Sequence, residues 1–427
     1  MNRLENRLLD AFRAAADTIT ADSVPELHER SRHRSWQRLA APLAAAAAVV
    51  VAAVIVPLIL TGHTGKVIPQ SPQRPVAPTL YVTDDNAGVV TPVNTATNAR
   101  GRPIPIGNAP CYAVAVAPNG KTAYILGDTG LVPINTSTKT AGRPIAVNVA
   151  EAGNPDGNSE VMAITPDGRT AYILGFSKTS ETSVLIPINL SSGKAGKPIV
   201  LGSTSVQPIT MAMTPDGKTI YVVGDFGTVI AISTATNKVK EMINLGTVPT
   251  DSIAITPNGK TAYVASSGSD TVTPISITTN KAGKPIDVGG RPEDIAITPD
   301  GETAYVVSAD SDNVTPVNTA TNKAGKPVPV GSEPDQIAIT PDGKTAYVAN
   351  IQSHDVTPIN IASNRPGHPI PIGGSADGIT IMPNGKTAYV GSIEQGTVTP
   401  ITVATNRAQA PITVEIYPPY MVFVSTP

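Results

Sequence analysis

The chain has 427 residues, 41% apolar, 15% charged and 4% aromatic, with 41 Pro, 36 Gly, one Cys and a formal net charge of -2. One cysteine excludes an intramolecular disulfide framework or a cysteine zinc site, and five scattered histidines (His28, His33, His63, His354, His368) leave little for a metal cluster. Near-zero charge argues against a strongly basic nucleic-acid-binding domain, so no nucleic acid is expected as partner, and low charge with ample apolar content argues against disorder.

Residues 1–38 carry seven Arg and six acidic residues, with Leu4, Leu8, Phe12 and Ile19 near helical spacing. This predicts a short amphipathic helix, either docking a cytoplasmic partner or lying at a membrane surface. From Leu39 to Leu60 run 22 residues without a charge. At about 1.5 Å per residue they match a hydrocarbon core of about 30 Å, which predicts one transmembrane helix over 39–61. Arg30, Arg32, Arg34 and Arg38 precede the run, and only Lys66 and Arg74 follow it soon after. The positive-inside rule then places the N-terminus in the cytoplasm and everything beyond outside, on an uncleaved signal anchor, with a cleaved signal peptide as the alternative. Residues 62–78 are Pro-rich and read as an extended spacer.

A repeat dominates residues 79–427. The turn Pro-Asp/Asn-Gly starts at Pro118, Pro166, Pro215, Pro257, Pro299, Pro341 and Pro383, with spacings of 48, 49, 42, 42, 42 and 42. Apolar alternation flanks each turn, as in IAITPDGETAYVVS from Ile295 to Ser308, and predicts a hairpin. A second pair of strands follows, as in DNVTPVNTATNKAGKPVPV from Asp312 to Val330. Four short strands per repeat, in tandem, predict an all-β fold: a β-propeller of four-stranded blades.

The tyrosine of the second strand recurs eight times, at Tyr81, Tyr124, Tyr172, Tyr221, Tyr263, Tyr305, Tyr347 and Tyr389. The first copy lacks an innermost strand, and the segment Pro411–Pro427 aligns on Pro285–Gly301 and stops where a turn would begin. The last residues of the chain are therefore expected to complete the first blade. Eight blades result, with seven as the alternative if one irregular copy between residues 120 and 217 is not a full blade. Proline in the third strand (Pro274, Pro316, Pro358, Pro400) conflicts with a regular ladder, so a bulge or a poorly paired outer strand is expected there.

Blocks such as GKTAYVAN (Gly343 to Asn350), DVTPIN and the ATN-type corners resemble the YVTN-family β-propeller repeats of bacterial YncE-like and archaeal surface-layer proteins. The resemblance covers about residues 79–427 and implies a WD40/YVTN-like fold and an exported or surface location. It implies no reaction, although some lactonases are also propellers. VTP stands here where the family more often has VSV.

In the usual propeller topology, 19 of the 22 Lys and Arg beyond residue 78 fall in bottom loops and 19 of 27 acidic residues in top loops, a disc basic below and acidic above. Glu160, Asp251, Glu293, Asp335 and Asp377 stand six positions before a turn proline, at the start of an innermost strand. They form a candidate acidic collar at the channel mouth for calcium or a cationic ligand, or else each bonds backbone N–H groups locally. Asp84, Asp85, Asp270, Asp310, Asp312, His354 and Asp355 add polar groups to the same face. No G-x-S-x-G elbow, H-E-x-x-H or P-loop occurs, so no catalytic residue is assigned and no cofactor beyond calcium is expected. Cys111 reads as a small buried residue of an innermost strand. The expectation is a membrane-anchored, extracytoplasmic propeller that binds a protein or small ligand on its top face. A lactonase-type enzyme and a sensor signalling through the N-terminal helix are the alternatives.

Overall fold

Each Pro-Asp/Asn-Gly turn closes the inner hairpin of a blade in a computed structural model of the chain, which describes residues 47–48, 78–84, 87–107, 111–149, 161–177, 182–202, 208–246, 248–414 and 420–424. Blade 6 shows the local logic. Thr298 Oγ1 donates to Asp300 Oδ1 at 2.5 Å and accepts from the N–H of Thr303 at 3.1 Å, while Gly301 sits at φ +76. Only glycine reaches that conformation without cost, and it also packs on the turn proline of the preceding blade: a Cβ on Gly301 would stand 3.4 Å from Pro257 Cδ.

The described strands form eight sheets, antiparallel apart from Ala47–Ala48, so the repeat count of eight holds and the stretch between residues 120 and 217 holds full blades. Blade 6 runs outward through Pro292–Ile297, Thr303–Ser308, Asn313–Asn318 and a broken outer strand, Lys323–Ala324 and Val328–Pro329. Its second strand is buried along nearly its whole length, because a blade covers each face. Tyr305 is 1% exposed there, and a side chain of this size buried on folding contributes roughly 2–3 kcal/mol.

Ring closure follows the alignment. Tyr420–Val424 pairs antiparallel with Thr79–Asp84, with Val422 opposite Tyr81, and so becomes the innermost strand of blade 1. The apolar run 39–60 and the linker lie outside the described residues except for Pro78 and for Ala47–Ala48, which form a two-residue strand parallel to Tyr420–Met421. Among the described residues no helix is long and apolar enough to cross a membrane. The expected N-terminal amphipathic helix also lies outside them.

Of the two outcomes expected from the third-strand proline, a bulge or a poorly paired outer strand, the structure shows the second. The third strand stays in register, Tyr305 opposite Pro316, and the outer strand breaks instead. Proline offers no N–H to the outer strand, so the ladder skips it and Gly325 donates to the Pro316 carbonyl at 2.7 Å. The same glycine-to-proline bond recurs at Pro92, Pro133, Pro187, Pro274 and Pro358, and Gln409 makes it to Pro400 at 2.8 Å. Blade 4 is the internal control. Ala231 replaces the proline, and its outer strand, Lys238–Asn244, is continuous, with one bulge at Lys240.

Adjacent blades are joined by a bond that the recurrence of the tyrosines does not by itself reveal. The Tyr305 hydroxyl donates to Asn364 Oδ1 of the next blade at 2.6 Å. Tyr172, Tyr221, Tyr263 and Tyr347 repeat it with Asn237, Asn280, Asn322 and Asn406, and Tyr389 carries it across the closure to Asn98 at 2.7 Å. These asparagines occupy the left-handed corner of the third-to-outer turn, φ +50 to +54, which Asn tolerates better than most residues. Burial pushes the Tyr305 phenol up to about 12.

Candidate functional site

The third-to-outer corner shares a face with the inner hairpin turn, since Thr319 Oγ1 donates to the Gly301 carbonyl at 2.6 Å. That lower face carries Lys260, Lys344, Lys323 and Arg365, and the upper face is built from the second-to-third corners and the loops between blades. The upper corners need a left-handed residue, supplied by Asp270 (φ +55), Asp312 (φ +49) and His354 (φ +55). The two aspartates then hold the neighbouring interblade loops. Asp270 Oδ1 accepts the N–H of Arg291 at 3.0 Å, and Asp312 Oδ1 that of Glu333 at 2.9 Å.

Arg291 and Glu333 are themselves left-handed, at φ +52 and +54, and each precedes a proline. That combination costs backbone energy and persists because the flanking contacts over-determine it. The Arg291 guanidinium is the hub: it lies 2.9 Å from Glu293 Oε1, 2.9 Å from Asp310 Oδ1 and 3.5 Å from Glu333 Oε1. Burial would lower its pKa, but the three carboxylates outweigh that and raise it. Asp310 is the most open of the three, with 67% of its side chain exposed.

The proposed collar residues take separate roles. Asp251 Oδ2 accepts the N–H of Ser267 at 3.1 Å and Asp377 Oδ2 that of Ile393 at 2.6 Å, each reaching across its own hairpin to fix the end of the second strand. Ser375 donates a further bond to Asp377 at 2.6 Å. Burial raises the Asp377 carboxyl above the ordinary range, and those two bonds partly offset it. Glu293 and Asp335 occupy bulges, where the inner-strand register shifts between Pro292 and Asp294 and between Pro334 and Gln336, and Glu293 pairs with Arg291. Glu160 lies outside the described residues. Among the described residues no group of three or more His, Cys, Asp or Glu is placed to hold a metal ion.

One position further along, the innermost strands carry a link absent from the sequence reading. Asp294 Oδ2 accepts the N–H of Ile337 in blade 7 at 3.1 Å, and Oδ1 accepts the Ser252 hydroxyl of blade 5 at 3.3 Å. Gln336 Oε1 repeats the step to Ile379 in blade 8 at 3.2 Å. Burial raises the Asp294 carboxyl, and the bonds from Ile337, Ile295 and Ser252 partly offset it. The available signal was the break in apolar alternation at Asp294 and Gln336. Cys111 is buried, 2% exposed, as expected.

Residues 188–387 match the family model of YNCE-like β-propellers. No curated protein matches the chain. Among solved structures the chain is similar to the dihydro-heme d1 dehydrogenase NirN in complex with DHE, at 12% identity over 83% of this chain and 76% of that one, with TM-score 0.65. It is similar to hydrazine synthase of Kuenenia stuttgartiensis at 21% identity over 69% and 96%, with TM-score 0.53. It is similar to a candidate 6-phosphogluconolactonase of Bacteroides uniformis at 16% identity over 73% and 98%, with TM-score 0.52. At these identities the likeness concerns the fold.

Proposed function

We propose that this YNCE-like propeller is an extracytoplasmic binding module that recognises a positively charged partner on its upper face. The supporting observation is the loop network of blades 5 to 7, where carboxylates hold interblade loops in strained, fixed conformations and leave Asp310 open to solvent. Fixed loops on a rigid ring lower the ordering cost of binding, and a carboxylate-rich face attracts cations. Glu293, Asp335 and Asp377 act mainly as supports, with Asp310, Asp312 and Asp355 nearer the partner.

Calorimetric titration of the full chain with spermine and with a lysine-rich peptide tests this. Binding that weakens several-fold on raising salt from 50 to about 500 mM, where the Debye length shrinks, and in Asp310→Asn is expected. No heat with either ligand overturns the reading. Location is tested separately: a cysteine at Asp310 should be labelled on intact cells by a membrane-impermeant reagent.

A second reading, a lactone hydrolase, gains support from the Arg291 hub, which brings a guanidinium beside Glu293, and from the fold shared with the Bacteroides protein. Proton release from 6-phosphogluconolactone that is lost in Glu293→Gln would favour it. Background hydrolysis alone would end it.

A further inference from the structure

The outer rim of blade 4 departs from every other blade. With Ala231 in place of proline, Lys238–Asn244 is a continuous seven-residue edge strand, whereas the outer strands of the other blades are short or broken. An unbroken edge presents a row of unpaired backbone groups, which proteins normally protect. The same blade carries three of the four exposed large apolar side chains among the described residues: Phe226 (55%), Val239 (38%) and Met242 (54%).

The bulge at Lys240 adds to this. Met242 lies opposite Ile230 and Val239 opposite Ile232, two positions apart on the third strand, so both exposed side chains stand on one face of the sheet. Without the bulge they would point to opposite faces.

We propose that this edge is a docking surface for a second copy of the chain, joined antiparallel about a two-fold axis between Lys240 and Glu241. The sequence is self-complementary in that register. Lys240 stands across from Glu241 of the other copy, and Val239 across from Met242, each pairing occurring twice. An axis perpendicular to the sheet keeps the faces aligned, so the four apolar side chains meet on one side. Shifting the register by one residue puts Lys240 opposite Lys240 or Glu241 opposite Glu241. Lys240 donates to Thr219 Oγ1 at 3.3 Å within its own chain, a bond that an ion pair can replace. Two edges of this length bury less than the roughly 1,200 Å² of a standard interface, so the dimer is weak and reversible.

Sedimentation equilibrium of the full chain tests the proposal. The average mass should rise toward that of two chains, with a dissociation constant on the order of 10–100 µM. Met242→Lys should weaken association at least tenfold, and Val200→Lys, an exposed change on blade 3, should leave it unchanged. Lys240→Glu and Glu241→Lys should each weaken it, and the double variant K240E/E241K should restore it. A monomer at about 300 µM, association indifferent to Met242→Lys, or a double variant no better than the singles would each overturn the proposal. Circular dichroism of each variant confirms that the fold is retained.

Discussion

Thr165, Thr214, Thr298 and Thr340 donate their hydroxyls to Asp167, Asp216, Asp300 and Asp342, and these bonds, with the backbone N–H two residues on, hold each carboxyl below its ordinary range. A carboxylate with a depressed folded pKa adds stability above its unfolded pKa and loses it as pH falls through the folded value. Burial acts in the opposite direction at Asp294 and Asp377, whose raised carboxyls favour the folded state as they take up a proton. Acid sensitivity of the turns is therefore partly masked by the inner ring. In Asn119, Asn258 and Asn384 the chain already uses the uncharged isostere, with the same N–H bond at 2.9 Å. The variant D167N/D216N/D300N/D342N should fold normally and show a flatter melting temperature between about pH 5 and pH 2. A slope equal to that of the parent chain would contradict the assignment. At this scale the sequence shows the Thr-Pro-Asp-Gly unit plainly. The role of Arg291 was not legible, because its carboxylates come from three places in the sequence, Glu293, Asp310 and Glu333.

At the scale of the strand, proline at the centre of the third strand decides the form of the outer one. Ala231→Pro should break Lys238–Asn244 as its counterparts are broken, at a cost of about 1–3 kcal/mol if the freed groups stay unpaired. Amide exchange reports it directly: protection at Glu241 and Ile243, which face Ala231 and Val229, should fall while that of Tyr221 and Val222 persists. Unchanged protection would mean that the proline is incidental to the break. The repeat made the inner hairpins legible because turn chemistry and apolar alternation agree there. The outer strands were less legible because their pairing depends on a missing N–H in a neighbour. The bulges at Glu293 and Asp335 come from pairing geometry that spacing alone does not reveal.

For the molecule as a whole, closure rests on Tyr420–Val424 and on the Tyr389–Asn98 bond. Deleting residues 420–427 leaves the inner edge of blade 1 unpaired. The expected loss is a large part of a typical net stability of about 5–15 kcal/mol, read as a broad, less cooperative denaturant transition. Retention of a sharp transition at the parent midpoint would show that closure does not need the strand. Eight blades and this closure were both legible, since the tyrosine count and the gapless alignment of the C-terminal segment pointed the same way.

Because the opening blade is finished by the final residues, its inner edge stays bare while the intervening 335 residues are made. At roughly 5–20 residues per second that interval lasts on the order of 20–70 s. During translation the nascent chain thus presents a waiting template to any extended segment nearby, its own later repeats included. A holdase that shields this edge until the ribosome releases the chain would raise the yield of correctly closed rings, and domain-swapped chains are the product to look for without one.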